Sequence, residues 1–108
     1  MRLARTVTGR DLIVIFSGAY HGILDEVVVR GTKQLRSIPA APGIPPEMVA
    51  NILVIDYDAP DALDILKSRA DEIAAVMVEP VQSRSPEYQP RELLHSLREF
   101  TQQRFLKI

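Results

Sequence analysis

The sequence contains no cysteine and no tryptophan. Without cysteine there is no disulfide, no thiolate zinc site, no iron–sulfur cluster and no cysteine nucleophile. An excess of one charge is missing as well: 13 Lys and Arg stand against 14 Asp and Glu, a net charge of −1. That balance supplies no field to gather nucleic acid or an anionic membrane surface, so neither is expected as a partner. Long apolar runs are lacking. The longest are about five residues, as at 12–16, whereas a helix that spans a bilayer needs about 20. The opening residues Met1-Arg2-Leu3-Ala4-Arg5 hold no apolar stretch fit for a signal peptide. The expectation is a reduced, cytoplasmic chain. The two histidines, His21 and His95, are far apart and lack local ligand partners, so no metal site is expected. Neither G-x-G-x-x-G nor G-x-x-x-x-G-K-[ST] occurs, which removes the common phosphate-cradling loops. There are no internal repeats and no low-complexity tract.

What remains is 108 residues, 46% of them hydrophobic, enough for one small domain with a core. Residues 1–8 carry an apolar helical face ended by Gly9, with no N-cap residue ahead of it. This predicts the last turns of a helix whose start lies elsewhere. Residues 12–16 are continuously apolar and β-branched, the signature of a strand covered on both faces in a parallel sheet. Residues 23–29 fit a short helix or a strand equally. Residues 31–50 contain four of the eight prolines and predict a long irregular excursion. A second strand is expected over 51–57. Asp58 would then cap a helix to about Arg69, with the stripe Ala62, Leu63, Leu66 and Ala70. A third strand is expected over 73–78, then a polar loop over 81–89. A final helix should start near Pro90 and bury Leu93, Leu94, Leu97 and Phe100. Three strands alternating with three helices imply an α/β layer with a mostly parallel sheet and flanking helices.

Ligands in parallel α/β sheets gather at the carboxyl ends of the strands. Two candidate segments lie there. Gly18-Ala19-Tyr20-His21-Gly22 follows the first strand: an aromatic there can stack on a planar ligand and the imidazole can exchange a proton, or the segment is a tight structural turn. Glu79-Pro80 closes the third strand, with Gln82, Ser83 and Arg84 able to extend a site or to form a solvated loop. Ser17, His21 and Asp25 match no known nucleophile spacing. His95 reads as a boundary histidine. Arg2, Arg5 and Arg10 read as a solvated helix face, and Asp56, Asp58, Asp61 and Asp64 as solvent-facing acids near a helix start.

Taken in order, Met1-Arg2-Leu3-Ala4-Arg5, Thr8-Gly9-Arg10-Asp11, Gly18-Ala19-Tyr20-His21-Gly22, Ile38-Pro39-Ala40-Ala41-Pro42-Gly43-Ile44-Pro45 and Ile73-Ala74-Ala75-Val76-Met77-Val78-Glu79-Pro80-Val81-Gln82 resemble the class III pyridoxal-phosphate-dependent aminotransferases. The branch is that of glutamate-1-semialdehyde aminomutase. The run Glu79 to Arg84 is most similar to aminotransferase domains of hybrid polyketide/non-ribosomal-peptide synthases. The resemblance covers residues 1–101. It implies part of a fold-type I large domain, a homodimer in the complete enzyme, pyridoxal 5'-phosphate as cofactor, and an amino donor with a carbonyl or β-keto acyl acceptor, the latter on an acyl carrier domain.

By the same resemblance Gly18, Tyr20 and His21 belong to the cofactor loop, with Tyr20 stacked on the ring. Glu79 lies near the substrate and the phenolic side of the cofactor, with Gln82 and Ser83 after it. Residues 38–46 match a stretch over the site mouth. The family's phosphate-binding segment, the aspartate that pairs with the pyridine nitrogen and the Schiff-base lysine all fall outside residues 1–108. Lys33, Lys67 and Lys107 do not stand in the lysine context, and the tail 102–108 departs from the family pattern. The expectation is a large-domain fragment, incomplete at both ends and inactive alone, since the lysine supplies the covalent and proton-transfer chemistry. The alternative is a non-catalytic α/β partner-binding module or a degenerate remnant.

Overall fold

The computed structural model describes residues 1–104. Helix α1 (Arg2–Thr8) leads into strand β1 (Leu12–Phe16). After a 3-10 turn at Asp25–Val27 come β2 (Val29–Gly31) and β3 (Ser37–Pro39); a second 3-10 turn, Pro46–Val49, precedes β4 (Ile52–Ile55). Helix α2 (Ala62–Ser68), strand β5 (Ile73–Val76) and helix α3 (Arg91–Arg104) complete the order.

The sheet is parallel with order β4-β1-β5, so β1 is its centre and is buried at every position. A side chain can be buried at every position of a strand only if both faces are covered. On one face, Leu12, Val14 and Phe16 pack with Leu53, Ile55, Ile73 and Val76 beneath Leu66 of α2 and Leu97 and Phe100 of α3. On the other, Ile13 and Ile15 pack with Ile52, Val54, Ala74 and Ala75 under Met1 and Ala4 of α1 and Val29 of the β2–β3 hairpin. The pairing slips once: Leu12 faces Ile73, but Ile13 faces Ala75, so β5 carries one extra residue. Ala74 and Ala75 therefore both lie on the α1 side. No helix among the described residues is long and apolar enough to cross a membrane.

Three expectations are corrected. Residues 31–50 are not wholly irregular. They include β3 of an antiparallel hairpin, whose other strand ends at Gly31. The hairpin is fastened to the sheet: the Ser37 hydroxyl donates to the Ile52 carbonyl, and Gly31 sits so close to Val54 that a Cβ there would lie 2.8 Å from Val54 Cβ. Second, α2 starts at Ala62, flanked by Asp61, not at Asp58. Pro60 disfavours helical backbone at Ala59, so the chain makes turns there instead, with the Ala59 N–H on the Asp56 carbonyl.

Third, Arg5 and Arg10 are not a solvated face. Arg5 is half-buried, its Nε donating to the Asp11 carbonyl at 2.7 Å and its Nη1 pairing with Glu26 at 2.7 Å. Arg10 donates to the Ile73 carbonyl at 3.3 Å. The expected strands over 51–57 and 73–78 end at Ile55 and Val76, although the Met77 N–H still donates to the Val14 carbonyl. Residues 105–108, which include Lys107 and most of the departing tail, lie outside the described residues.

Leu97 is fully buried and joins α3 to the sheet. Leu97→Ala is expected to cost about 3 kcal/mol through lost transfer energy and cavity formation, measured by urea unfolding of the purified chain.

Candidate functional site

The carboxyl ends of β1, β4 and β5 point the same way because the strands are parallel, so the loops after Phe16, Ile55 and Val76 are brought together. After β1 the chain turns at once: the Ala19 N–H donates to the Phe16 carbonyl and Gly18 takes φ +79°, a left-handed conformation that favours glycine. That turn presents Tyr20, whose side chain remains 54% exposed, and His21, which is half-buried.

The loop after β5 reaches the same place. Glu79 Oε2 accepts the Tyr20 N–H at 3.0 Å across 59 residues of sequence. Gln82 Nε2 donates to the Ser17 carbonyl at 3.4 Å and lies over Gly18, where a Cβ would come within 2.8 Å of it. Ser83 also lies beside the Glu79 carboxylate and favours its charged form. Gly18, Tyr20, His21, Glu79, Gln82 and Ser83 are thus one cluster. Gly18, Tyr20, His21, Ala40 and Arg84 line a cavity of about 600 Å³ together with hairpin residues. Ala40 belongs to the proline-rich stretch 38–46, and its N–H donates to the Val28 carbonyl.

The electrostatics are asymmetric. Partial burial lowers the His21 imidazole below its ordinary value, and the nearby Glu79 charge only partly restores it. Its Nε2 is buried with no hydrogen-bond partner among the described residues. At Glu79 desolvation pushes the carboxyl up, but the Tyr20 N–H, the two Ser83 donors and His21 together outweigh it and hold the group below the usual carboxylate range. The charged form of Glu79 is therefore favoured. The Ser17, His21 and Asp25 trio is not an assembled triad: the Ser17 carbonyl serves Gln82, Asp25 is exposed in a 3-10 turn, and His21 Nε2 is unpaired. His95 is exposed on α3. Among the described residues no group of three or more His, Asp or Glu could hold a metal ion.

Sequence reasoning missed Tyr57. Its hydroxyl donates to the Glu79 carbonyl and accepts the Glu79 N–H, and its ring stacks on Phe16. The available signal was position: Tyr57 follows the carboxyl end of β4, as Tyr20 follows β1 and Glu79 follows β5.

No protein-family model matches the chain. It is 42% identical over 107 residues to a glutamate-1-semialdehyde 2,1-aminomutase of Chloroflexus aggregans, an alignment that takes in 95% of this chain and 24% of that protein. It is 39% identical over 103 residues to the enzyme of the same name from Methanosphaera stadtmanae, again 24% of the relative. The chain spans about a quarter of the length of the curated relatives it matches. Among solved structures, a transaminase with PLP bound superposes with a TM-score of 0.81 at 36% identity, over 97% of this chain and 26% of that one. A glutamate-1-semialdehyde aminomutase from Pseudomonas aeruginosa PAO1 gives 0.74 at 28%, over 97% and 24%.

Two outcomes follow from the geometry. Gly18→Ala should destabilise by about 1–2 kcal/mol for left-handed backbone, plus the displacement of Gln82. In a Gln82→Ala background only the backbone part should remain, as a double-mutant cycle by chemical denaturation would show. Second, the unfolded chain binds protons at His21 and Glu79 more readily than the folded chain does. Stability should therefore fall as pH drops below about 6.5, where unfolded His21 protonates, and again below about 4.5 through Glu79. His21→Gln should abolish the upper loss and keep the lower one, read from urea midpoints across that range.

Proposed function

We propose that the chain is part of the large domain of a class III pyridoxal-phosphate-dependent aminotransferase, carrying the walls against the cofactor ring and the substrate; its similarity to about a quarter of the length of glutamate-1-semialdehyde 2,1-aminomutases and its α/β fold shared with transaminases over that stretch support this. One observation carries this. Gly18, Tyr20, His21, Glu79, Gln82 and Ser83 come from two loops far apart in sequence and form a single cluster at the carboxyl end of a parallel sheet.

The residues fit one side of a planar cofactor. Tyr20 offers an exposed ring, a buried imidazole nitrogen stands without a partner, and both line a cavity of about 600 Å³. When bound, pyridoxal phosphate takes up the electron pair released at the substrate carbon. The work left to this chain is orientation. Tyr20 and His21 would hold the cofactor, the first by its exposed ring and the second by a polar imidazole, and Gly18 would let the backbone pass close by. Glu79, held as a carboxylate chiefly by the Tyr20 N–H, would supply a negative charge to orient the cofactor and the substrate amine. Gln82 fixes that loop against Ser17.

The whole enzyme would move an amino group from an amino donor to a carbonyl or β-keto acyl acceptor, the acyl chain carried on an acyl carrier domain, and would work as a cytoplasmic homodimer. The similarity of residues 79–84 to synthase-embedded aminotransferases supports the carrier-bound acceptor; the aminomutase relatives support a small free one. The separate chain is expected to be inactive. Lys33 and Lys67 are exposed and are not among the residues that line the cavity at Tyr20 and His21. A stand-alone partner-binding module is the second reading, favoured by a sheet whose two faces are covered by the chain's own elements.

The test is a chimera in which these residues replace the matching quarter of the Chloroflexus aggregans aminomutase. It should retain cofactor, and Tyr20→Ala should weaken cofactor binding by up to about tenfold, the worth of one aromatic stack. Tyr20→Phe should not. A chimera that folds as a dimer and binds cofactor equally well with Tyr20→Ala, His21→Ala and Glu79→Gln would remove the assignment.

A further inference from the structure

Tyr57 is held from both sides. Its ring lies on buried Phe16, with centroids 4.7 Å apart and planes 21° apart, and Tyr88 meets it edge-on at 5.8 Å and 77°. The hydroxyl at the end of that ring serves one residue only: it donates to the Glu79 carbonyl and accepts the Glu79 N–H, each at 3.3 Å. Both bonds are long for their type. Neither is strong enough to place the tyrosine, so the rings place the hydroxyl and the hydroxyl places the peptide. Glu79 lies three residues beyond the end of β5, where no sheet ladder holds it. Beyond that end, the Tyr57 hydroxyl substitutes for a neighbouring strand.

We infer that Tyr57 is a positioning residue for Glu79, fixing its main chain against the β1–β4 core so that its carboxylate meets the Tyr20 N–H. The functional meaning rests on the proposed place of Glu79 beside the ligand, but the clamp itself needs no ligand to be observed. The carboxylate is faced by the Tyr20 N–H and His21 from the β1 loop, by Ser83 from its own loop and by Tyr57 from the β4 loop. The first three bond or attract the carboxylate itself. Tyr57 alone grips the backbone, so its loss should loosen all of them together.

The experiment is nuclear magnetic resonance on the full chain without cofactor, comparing the unchanged protein with Tyr57→Phe, which keeps the stacked ring and removes only the oxygen. In the unchanged chain the Tyr20 amide shift should follow the titration of the Glu79 carboxyl, with a midpoint below about 4.5. In Tyr57→Phe that midpoint should rise toward the ordinary value, the Tyr20 response should fall by at least about half, and the Glu79 amide should exchange with solvent about tenfold faster. A tyrosine that only fills space would lower the melting temperature and leave the midpoint and the Tyr20 response where they were, and that result ends the proposal. Should Tyr57→Phe not fold, hydrogen exchange on the unchanged chain decides. A Glu79 amide protected at least about tenfold over an open loop amide supports the clamp, and one that exchanges like an open loop overturns it. None of these readouts uses the cofactor, so failure of the cofactor assignment in the chimera would leave them unaffected.

Discussion

Everything in this molecule is arranged around a strand with no exposed side. Leu12, Ile13, Val14, Ile15 and Phe16 are each at most 5% exposed, and both strand edges are also used, by β4 and β5. Burying such a strand is favourable only if two separate layers cover it, because each face left open would return several apolar side chains to water. The α2–α3 layer and the α1–hairpin layer meet that demand. The hairpin, whose strands are three residues each, has little stability of its own; it is held as a cover, by Val29 on the core, by Ser37 on the Ile52 carbonyl and by the close approach of Gly31 to Val54.

The same constraint produces the polar cluster. Three parallel strands that end together send three loops over one edge of the core, and those loops have unpaired backbone groups to satisfy. They satisfy one another. The Tyr20 N–H finds Glu79, the Ser17 carbonyl finds Gln82, and the Glu79 peptide finds Tyr57. The site is therefore rigid where its residues bond each other and open where the exposed Tyr20 meets the cavity. A binding surface needs that division: fixed framework, uncommitted contact atoms.

Much of this is legible in the residues. The β1 run, the Gly9 cap with φ 67°, the α2 stripe and the start of α3 after Pro90 are local patterns, and the chain follows them. The hairpin was not legible, because segments as short and mixed as Val29-Arg30-Gly31 and Ser37-Ile38-Pro39 carry no period, and what fastens them to the sheet lies 15 or more residues away. Arg5 and Arg10 were misjudged for the same reason: their partners, Glu26 and Ile73, are remote. At the site, residue type and strand position suffice to single out Tyr20, His21 and Glu79. That the Tyr20 N–H meets Glu79, and that Tyr57 bonds the Glu79 peptide, depends on three strands being parallel and adjacent, which no local pattern states. A tyrosine at the end of an apolar run resembles any other core aromatic.

The slipped pairing between β1 and β5 has a consequence for how this site can evolve. With one residue extra, Ile73 and Val76 share a face although they are three apart, and Ala74 and Ala75 share the other. Beyond the slip the alternation resumes, with Met77 on the α1 side and Val78 opposite. The faces taken by Met77 and Val78 are thus set by that single insertion. Point changes along β5 can adjust volume, but losing one alanine would invert the phase of the segment and carry the carboxylate away from Tyr20.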